Sequence, residues 1–455
     1  MNNLVYKYIS TISFADLYNW SFQYAQKCEQ LFSNKYKCFN IGSFLTRIKD
    51  SVDIQDNQNY KRVSIKLYNG GISLRDTELG LNIGTKKQFR IKKGHFLLSK
   101  IDARNGAIGV VPESCHDAII TGNFWDFEID TNKADPHFLS LLMTTKYFVK
   151  LFDNASNGTT NRHYLQEDLF LNTEIPLPPL AIQQEFVKKH NDKIKLAEEQ
   201  EIKALQLEND IGKYLFEILG LKINKNVACA KLQFINFSNI KLWGIDKISG
   251  NNAFVSDKYK LRSLSENANL YREAFRGKSP KYKDGTDAII LNQKCNRWNS
   301  IDLQYAKTVS EEWLNSINDN FKTKENDILI NSTGEGTIGR ATCIDINHTN
   351  LLYDSHMLLL RLNTELVNPL YYTYLLNSGF GQEQINYIKS AQSTKQTELG
   401  IDNLKLIKFP YPSINIQNEI VAHIKELNED IAILHKQAEQ NRIVAQEEFE
   451  KELFE

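Results

Sequence analysis

At 455 residues the chain is long for one domain and has room for two to four. Its 42% hydrophobic and 24% charged content, with no low-complexity tract, belongs to an ordinary soluble globular protein and excludes a fibrous or disordered chain. Lysines plus arginines number 55 and so do aspartates plus glutamates, so no overall field draws the protein to a polyanion and any such partner must be met by local charge.

The first thirty residues lack a basic start followed by an apolar core, so no signal peptide is expected. No apolar run approaches the roughly 18 residues that a membrane span requires, so no membrane partner is expected either. Six cysteines, at 28, 38, 115, 229, 295 and 343, form no CxxC pair. Reduced thiols in a cytoplasmic compartment are the expectation, not a zinc module.

Residues 1–174 read as a lobe of short strands and turns. Arg62 to Tyr68 and Phe96 to Lys100 are strand-like, with turn signals at Asn69-Gly70-Gly71 and Asn105-Gly106. The stretch KKGHFLLSKIDARNGAIGVVPE is strand, turn, strand, stopped by Pro112, and Lys86, Lys87, Arg90, Lys92 and Lys93 lie just before or at its start. Asp135-Pro136 then opens a helix, and a polar loop, Ser156 to Arg162, follows.

Residues 175–222 form a strap and a rod. Pro176, Pro178 and Pro179 fix φ and forbid a helix; from about Ile182 helix formers take over. Apolar residues recur in alternating steps of three and four, at Val187, Ile194, Ala197, Ala204, Ile211, Leu215 and Ile218, the spacing of a coiled-coil seam.

Residues 223–408 repeat the plan. KENDILINSTGEGTIGRATCI is again strand, turn, strand; Asn368-Pro369 opens a helix; Ser390 to Thr397 is a polar loop; and IILNQKCNRWNS, from Ile289 to Ser300, weakly matches the text around Ser64 to Ile72. Residues 409–455 supply a second strap, FPYPSINIQNEIV, and a second rod with seam positions Ile420, Ile424, Leu427, Ile431, Leu434 and Ala438. Pro410 follows Pro176 by 234 positions, Pro369 follows Pro136 by 233 and Gly339 follows Gly109 by 230. The chain is therefore two copies of a lobe-plus-rod unit, whose rods are expected to pair through Ile194, Ile211 and Leu215 on one and Ile420, Ile424, Leu427, Ile431 and Leu434 on the other. From Tyr411 onward four Lys/Arg stand against ten Asp/Glu, and from Ile175 to Gly220 six against eight. The balancing positive charge lies in the lobes, which suits a protein gripping an anion at two places.

No catalytic centre is legible. Gly277-Lys278-Ser279 resembles the end of a phosphate loop, but Arg272 occupies the position that needs glycine. Gly334-Glu335-Gly336 sits between two strands, and the histidines show no metal-ligand spacing. Neither cofactor nor metal is expected. Binding chemistry is better represented, by groups that contact base edges and phosphates at chain reversals. In the first lobe these are Lys100, Arg104, Asn105, Thr159, Asn161 and Arg162. In the second they are Asn331, Ser332, Thr333, Glu335, Arg340, Thr394 and Lys395, with Arg272, Arg276 and Lys278 on a basic, aromatic stretch.

The strap-and-rod IPLPPLAIQQEFV, its repeat 234 residues on, and the NGAIGVVP and GEGTIGR hairpins together resemble the specificity (S) subunit of type I restriction–modification systems, over essentially the whole chain. The resemblance implies two similar α/β target-recognition domains, 1–174 and 223–408, separated by a two-helix antiparallel coiled coil as a pseudo-two-fold repeat. Each domain would read one half of a split site in double-stranded DNA. The helical regions would set the spacing and dock two methyltransferase subunits, and motor-nuclease subunits would join the complex in a prokaryotic cytoplasm. No catalysis by the chain itself is implied. Ser413 departs from the pattern, standing where the first copy has Pro179. A specificity subunit of a type IIB-like enzyme and a coiled-coil scaffold that binds no DNA remain alternatives.

Overall fold

The computed structural model describes residues 35–67, 70–149, 156–157, 164–223, 254–334, 336–391 and 397–454. The chain divides into two compact units, residues 1–201 with 436–455 and residues 202–435. Two long helices, Leu180–Leu219 and Ile414–Phe454, each contribute one portion to either unit.

The core of the first unit is an antiparallel sheet in the order Leu45–Ile48, Phe124–Ile129, Phe96–Ser99, Ile108–Val110. Its strand Phe96–Ser99 is buried on both faces, as its unbroken apolar text requires. Phe96 and Leu98 pack towards Phe138, Leu142 and the long helices, whereas Leu97 faces Ile91, Val111, Cys115 and Ile120. That second layer belongs to a five-stranded sheet that includes the hairpin Asn59–Ile65 and Ile72–Leu79. The strap enters as strand Glu174–Pro176, paired antiparallel with Cys38–Asn40.

The second unit repeats this frame strand for strand. Tyr271–Arg276, Met357–Leu362, Ile328–Asn331 and Ala341–Cys343 form the sheet in the matching order. Ile328 and Ile330 face one core and Leu329 the other. The strap strand Lys408–Pro410 pairs antiparallel with Leu261–Ser263. The weak upstream match falls on a shortened version of the same arrangement. Ile289–Leu291 runs parallel to Leu352–Tyr353 much as Arg62 lies parallel to Ile119. On its other side it pairs antiparallel with the two-residue strand Lys307–Thr308, where Asn59–Ile65 pairs with the longer Ile72–Leu79; a tight reversal, Asn296 to Ile301, stands between the two second-unit strands.

One equivalence read from the text shifts. Ser99 N–H donates to the Ala107 carbonyl (3.0 Å) and Asn331 N–H to that of Arg340 (2.9 Å), so Ala107 and Arg340 are partners in the repeat. The residues before them, Gly106 and Gly339, both have positive φ, 74° and 83°, a backbone region that glycine enters without penalty. Gly339 thus matches Gly106, not Gly109; the glycine-rich text offers several alignments and only the backbone selects one.

Each lobe helix begins with the same cap. Asp135 accepts from the amides of His137 and Phe138, Asn368 from those of Leu370 and Tyr371, and a proline follows each at the first helical position. The long helices start at Leu180 and Ile414, the first two residues earlier than the prolines suggest. Ser413 substitutes for Pro179 without altering the backbone, since the carbonyls of both accept the amide four residues on, at 3.1 Å.

One turn further, each long helix buries a glutamine completely. Gln183 accepts from the Asp135 amide (2.7 Å) and donates to the carbonyls of Lys133 and Pro178. Gln417 accepts from the Asn368 amide (2.9 Å) and donates to those of Leu366 and Pro412.

Within each unit the helix portions run antiparallel. In the first, Lys189 pairs with Glu452, Lys193 with Glu448 and Glu201 with Arg442; in the second, Glu208 faces His435 and Tyr214 stacks edge-on against His423. Every expected seam residue lies inward. Leu215, Ile420, Ile424 and Ile431 are buried, Ile194, Ile211, Leu427 and Leu434 half-buried. Ala197, Ala204, Ala438 and Ala445 are at most 2% exposed.

The glutamine yields a stability prediction. Gln417→Leu leaves the Asn368 amide and two carbonyls without their partner, which costs about 1–3 kcal/mol. Urea unfolding followed by circular dichroism should show a lower midpoint, whereas Asn415→Leu, a control at an exposed position in the same helical turn, should not.

Candidate nucleic-acid interface

In both units the turn of the central hairpin is tied to a two-residue antiparallel ladder. The ladder Ser156–Asn157 with Tyr164–Leu165 is joined to the first turn by Leu165 N–H donating to the Lys100 carbonyl (3.0 Å). The ladder Ser390–Ala391 with Thr397–Glu398 is joined to the second by Leu399 N–H donating to the Ser332 carbonyl (2.8 Å). The polar loops between the ladder strands, with Thr159, Asn161, Arg162, Thr394 and Lys395, lie outside the described residues, as do Glu335 and the side chain of Arg104.

In the first unit Lys100 is half-buried at the end of its strand, its ammonium 5.8 Å from the Trp125 ring centre. Arg47 lies over the same ring at 5.9 Å and over Phe127 at 5.5 Å, and forms an ion pair with Glu167 at 3.8 Å. Burial, then the Arg47 guanidinium and Lys49, hold the Lys100 ammonium below its ordinary range, while Glu167 pulls the other way. This cluster of cations around an indole is a local attraction for an anion in a protein with no net charge. Asn105 is exposed beside it, contacting Asp102 at 3.4 Å. Arg47 carries no sequence signal, because the strand that places it pairs with a strand far along the chain, Arg47 itself opposite Phe127.

In the second unit the expected residues divide into two sets. Asn331 and Ser332 are fully buried and Thr333 nearly so. The Asn331 amide donates to the Gln293 carbonyl (3.0 Å) and accepts from Asn296 (3.1 Å), and the Ser332 hydroxyl donates to the Leu399 carbonyl (2.9 Å). Thr333 Oγ1 and His356 Nδ1 lie 2.9 Å apart. These three hold the turn in shape. Arg276, Lys278 and Arg340 are the solvent-facing members. Arg276 is paired with Glu398 and donates to the Ser355 carbonyl at 2.9 Å. The Lys278 ammonium lies 3.6 Å from the Phe321 ring centre. Gly277 beside it has a structural cause, since an added Cβ would lie 1.9 Å from the Asp354 carbonyl oxygen. Arg272 is not brought to this edge; four residues, about 13 Å of strand, separate it from Arg276, and it donates to Asn363 instead.

Sequence reading misses Gln293, Asn296, Trp298 and His356. Asn296 Nδ2 lies within 3.1 Å of three acceptors, the Leu329 and Arg340 carbonyls and Asn331 Oδ1, and so pins both strands of the hairpin. Among the described residues no group of three His, Cys, Asp or Glu converges as a metal site would, and no helix is long and apolar enough to cross a membrane.

A profile of the type I restriction modification DNA specificity domain matches residues 34–207 and again 258–443. The chain is 22% identical over 281 residues to the type I restriction enzyme EcoBI specificity subunit of Escherichia coli, an alignment covering 60% of this chain and 55% of that one. The chain thus spans about half the length of that curated relative. A solved structure concerned with complex assembly and conformational transition of the type I R-M system superposes with a TM-score of 0.58 at 16% identity, covering 92% of this chain and 98% of the other, a likeness of fold. The duplicated match, falling on the two copies of one frame, places this chain in the family of type I restriction–modification DNA specificity subunits.

Proposed function

We propose that the chain is the DNA-reading subunit of a type I restriction–modification complex in a prokaryotic cytoplasm. Each unit reads one half of a split site in double-stranded DNA. The paired helices fix the gap between the halves and carry two methyltransferase subunits, and motor-nuclease subunits join the full assembly. The domains assigned to reading are residues 1–174 and 223–408, with helical regions 175–222 and 409–455 between and after them.

The observation that carries this reading is one frame used twice with unlike edges. The backbone bonds from hairpin turn to ladder are the same in both units, whereas the side chains at the turns differ: Lys100, Asn105 and Ala107 in one, Thr333 and Arg340 in the other. Shared support under divergent polar turns is what two different recognition tasks require. Lys100, Asn105, Arg276, Lys278 and Arg340 are the contacts we assign among the described residues, together with Arg104, Thr159, Asn161, Arg162, Glu335, Thr394 and Lys395. Asn331, Ser332 and Thr333 shape the second turn, and Arg272 serves as a phosphate contact outside it. The chain performs no chemistry of its own, in keeping with a sequence that holds no complete catalytic or cofactor motif.

Purified alone, the chain should neither methylate nor cut DNA; with its methyltransferase and S-adenosylmethionine, a split motif should become methylated. Turnover by the isolated chain would refute the assignment. Replacing residues 223–408 with the corresponding lobe of a relative should change one half of the motif, read by methylome sequencing, and leave the other half intact. Simultaneous change of both halves would show that the units do not read separately.

A further inference from the structure

We infer that Arg340 reads a guanine in the half-site of the second unit, and that Trp298 is a positioning residue holding its guanidinium for that contact. The inference rests on the DNA-reading function proposed above and adds a base and an atom-level mechanism to it.

The backbone of Arg340 is clamped at three points. Its carbonyl accepts from the Asn331 amide (2.9 Å) and from Asn296 Nδ2 (3.0 Å), and its amide donates to the Thr337 carbonyl (3.2 Å). The side chain is steered as firmly. Its guanidinium carbon lies 5.6 Å from the Trp298 ring centre, and Nη2 donates to the Gly336 carbonyl at 3.2 Å. Trp298 is 45% exposed, yet its backbone is fixed. The reversal that carries it is closed by the bridge between Asn296 and Ile301 and by Arg297 N–H donating to the Ser300 carbonyl. Its neighbour Asn299 donates to the Ala341 carbonyl and accepts from Asn377.

Nε of Arg340 is buried without a hydrogen-bond partner and one N–H of Nη2 goes to Gly336, which leaves Nη1 and the second N–H of Nη2 as a pair of donors for a ligand. No acid among the described residues is paired with this arginine, in contrast to Arg276 on Glu398 and Arg361 on Asp327 and Glu273. A planar donor edge held on an aromatic face loses little entropy on binding. In the major groove guanine presents two adjacent acceptors, N7 and O6, that match two parallel N–H groups. The corresponding residue of the first unit is Ala107, buried and without a side-chain donor. The contact therefore belongs to one half-site only.

The test complements a host strain lacking this chain with variants and sequences the methylome. Arg340→Ala and Arg340→Lys should leave the first half-site intact and relax one position of the second from guanine to any base. Trp298→Ala should relax the same position, and Trp298→Phe should restore it. In competition binding with the chain–methyltransferase complex, a duplex carrying 7-deazaguanine at that position, which lacks only the N7 acceptor, should bind wild type about tenfold more weakly and Arg340→Ala no differently from guanine. An unchanged motif in Arg340→Ala would overturn the inference, and so would an affinity loss equal on all sequences, the mark of a phosphate contact. Absence of any split motif with the wild-type chain would overturn the DNA-reading proposal itself, and the inference with it.

Discussion

Each unit depends on one fully buried amide side chain. A glutamine in a protein core must satisfy its carbonyl and its NH2 or lose free energy for every orphaned atom. For Gln183 the partners are the cap residue of the lobe helix, the loop two residues before it and the proline strap; for Gln417 they are the same three elements of the second copy. Three chain segments must therefore meet in one arrangement before the amide is satisfied. Apolar packing around Phe138 and Phe186, or around Tyr371 and Val421, would tolerate small slides; directional bonds at 2.7–3.3 Å do not. In this way a lobe and its portion of the long helix become one body, and the hairpin turns inherit a fixed position relative to the helix.

Much of this frame is legible in the text because it is written in residues with few alternative meanings. Prolines at 176 and 410 mark the straps, Asp135-Pro136 and Asn368-Pro369 mark capped helices, and seam positions such as Ile424 follow from periodicity alone. What escapes is whatever depends on partners distant in sequence. A glutamine in a first helical turn reads as solvated until the cap it meets is known. The glycine pairing slips by three residues because Gly106 and Gly109 are alike as letters, and only Gly106 has positive φ. Asn331, Ser332 and Thr333 have the composition of ligand-binding loops, yet tertiary packing turns all three inward. Trp298 and Arg340, forty-two positions apart, acquire meaning only when the reversal from Asn296 to Ile301 brings them together.

The cations at the two edges are handled differently. In the first unit Lys100 and Arg47 crowd one indole, and their mutual repulsion is moderated by Glu167. In the second, Arg276 is paired with an acid and Arg340 with an aromatic face and a backbone carbonyl. A crowded cationic cluster favours any dense negative charge, whereas an isolated, oriented guanidinium favours a matching pair of acceptors. The zero net charge of the chain conceals this division of labour between attraction and discrimination.

The two turns also differ in what holds them, and that difference bears on how freely each can drift. The first turn is pinned mostly by main-chain groups: Lys100 to Asn123 and Leu165, Ser99 to Ala107, Gly106 to Ala103. Most residues can supply such bonds, the exceptions being Gly106 with its positive φ and Ser99, whose hydroxyl accepts from the Ile101 and Asp102 amides. The second turn rests on the side chains of Asn296, Asn331, Ser332 and Thr333, each of which must keep its identity for the loop to keep its form. Were both edges to read DNA as proposed, a substitution that redirects recognition would be absorbed more readily at the first turn than at the second, by a difference in hydrogen bonding alone.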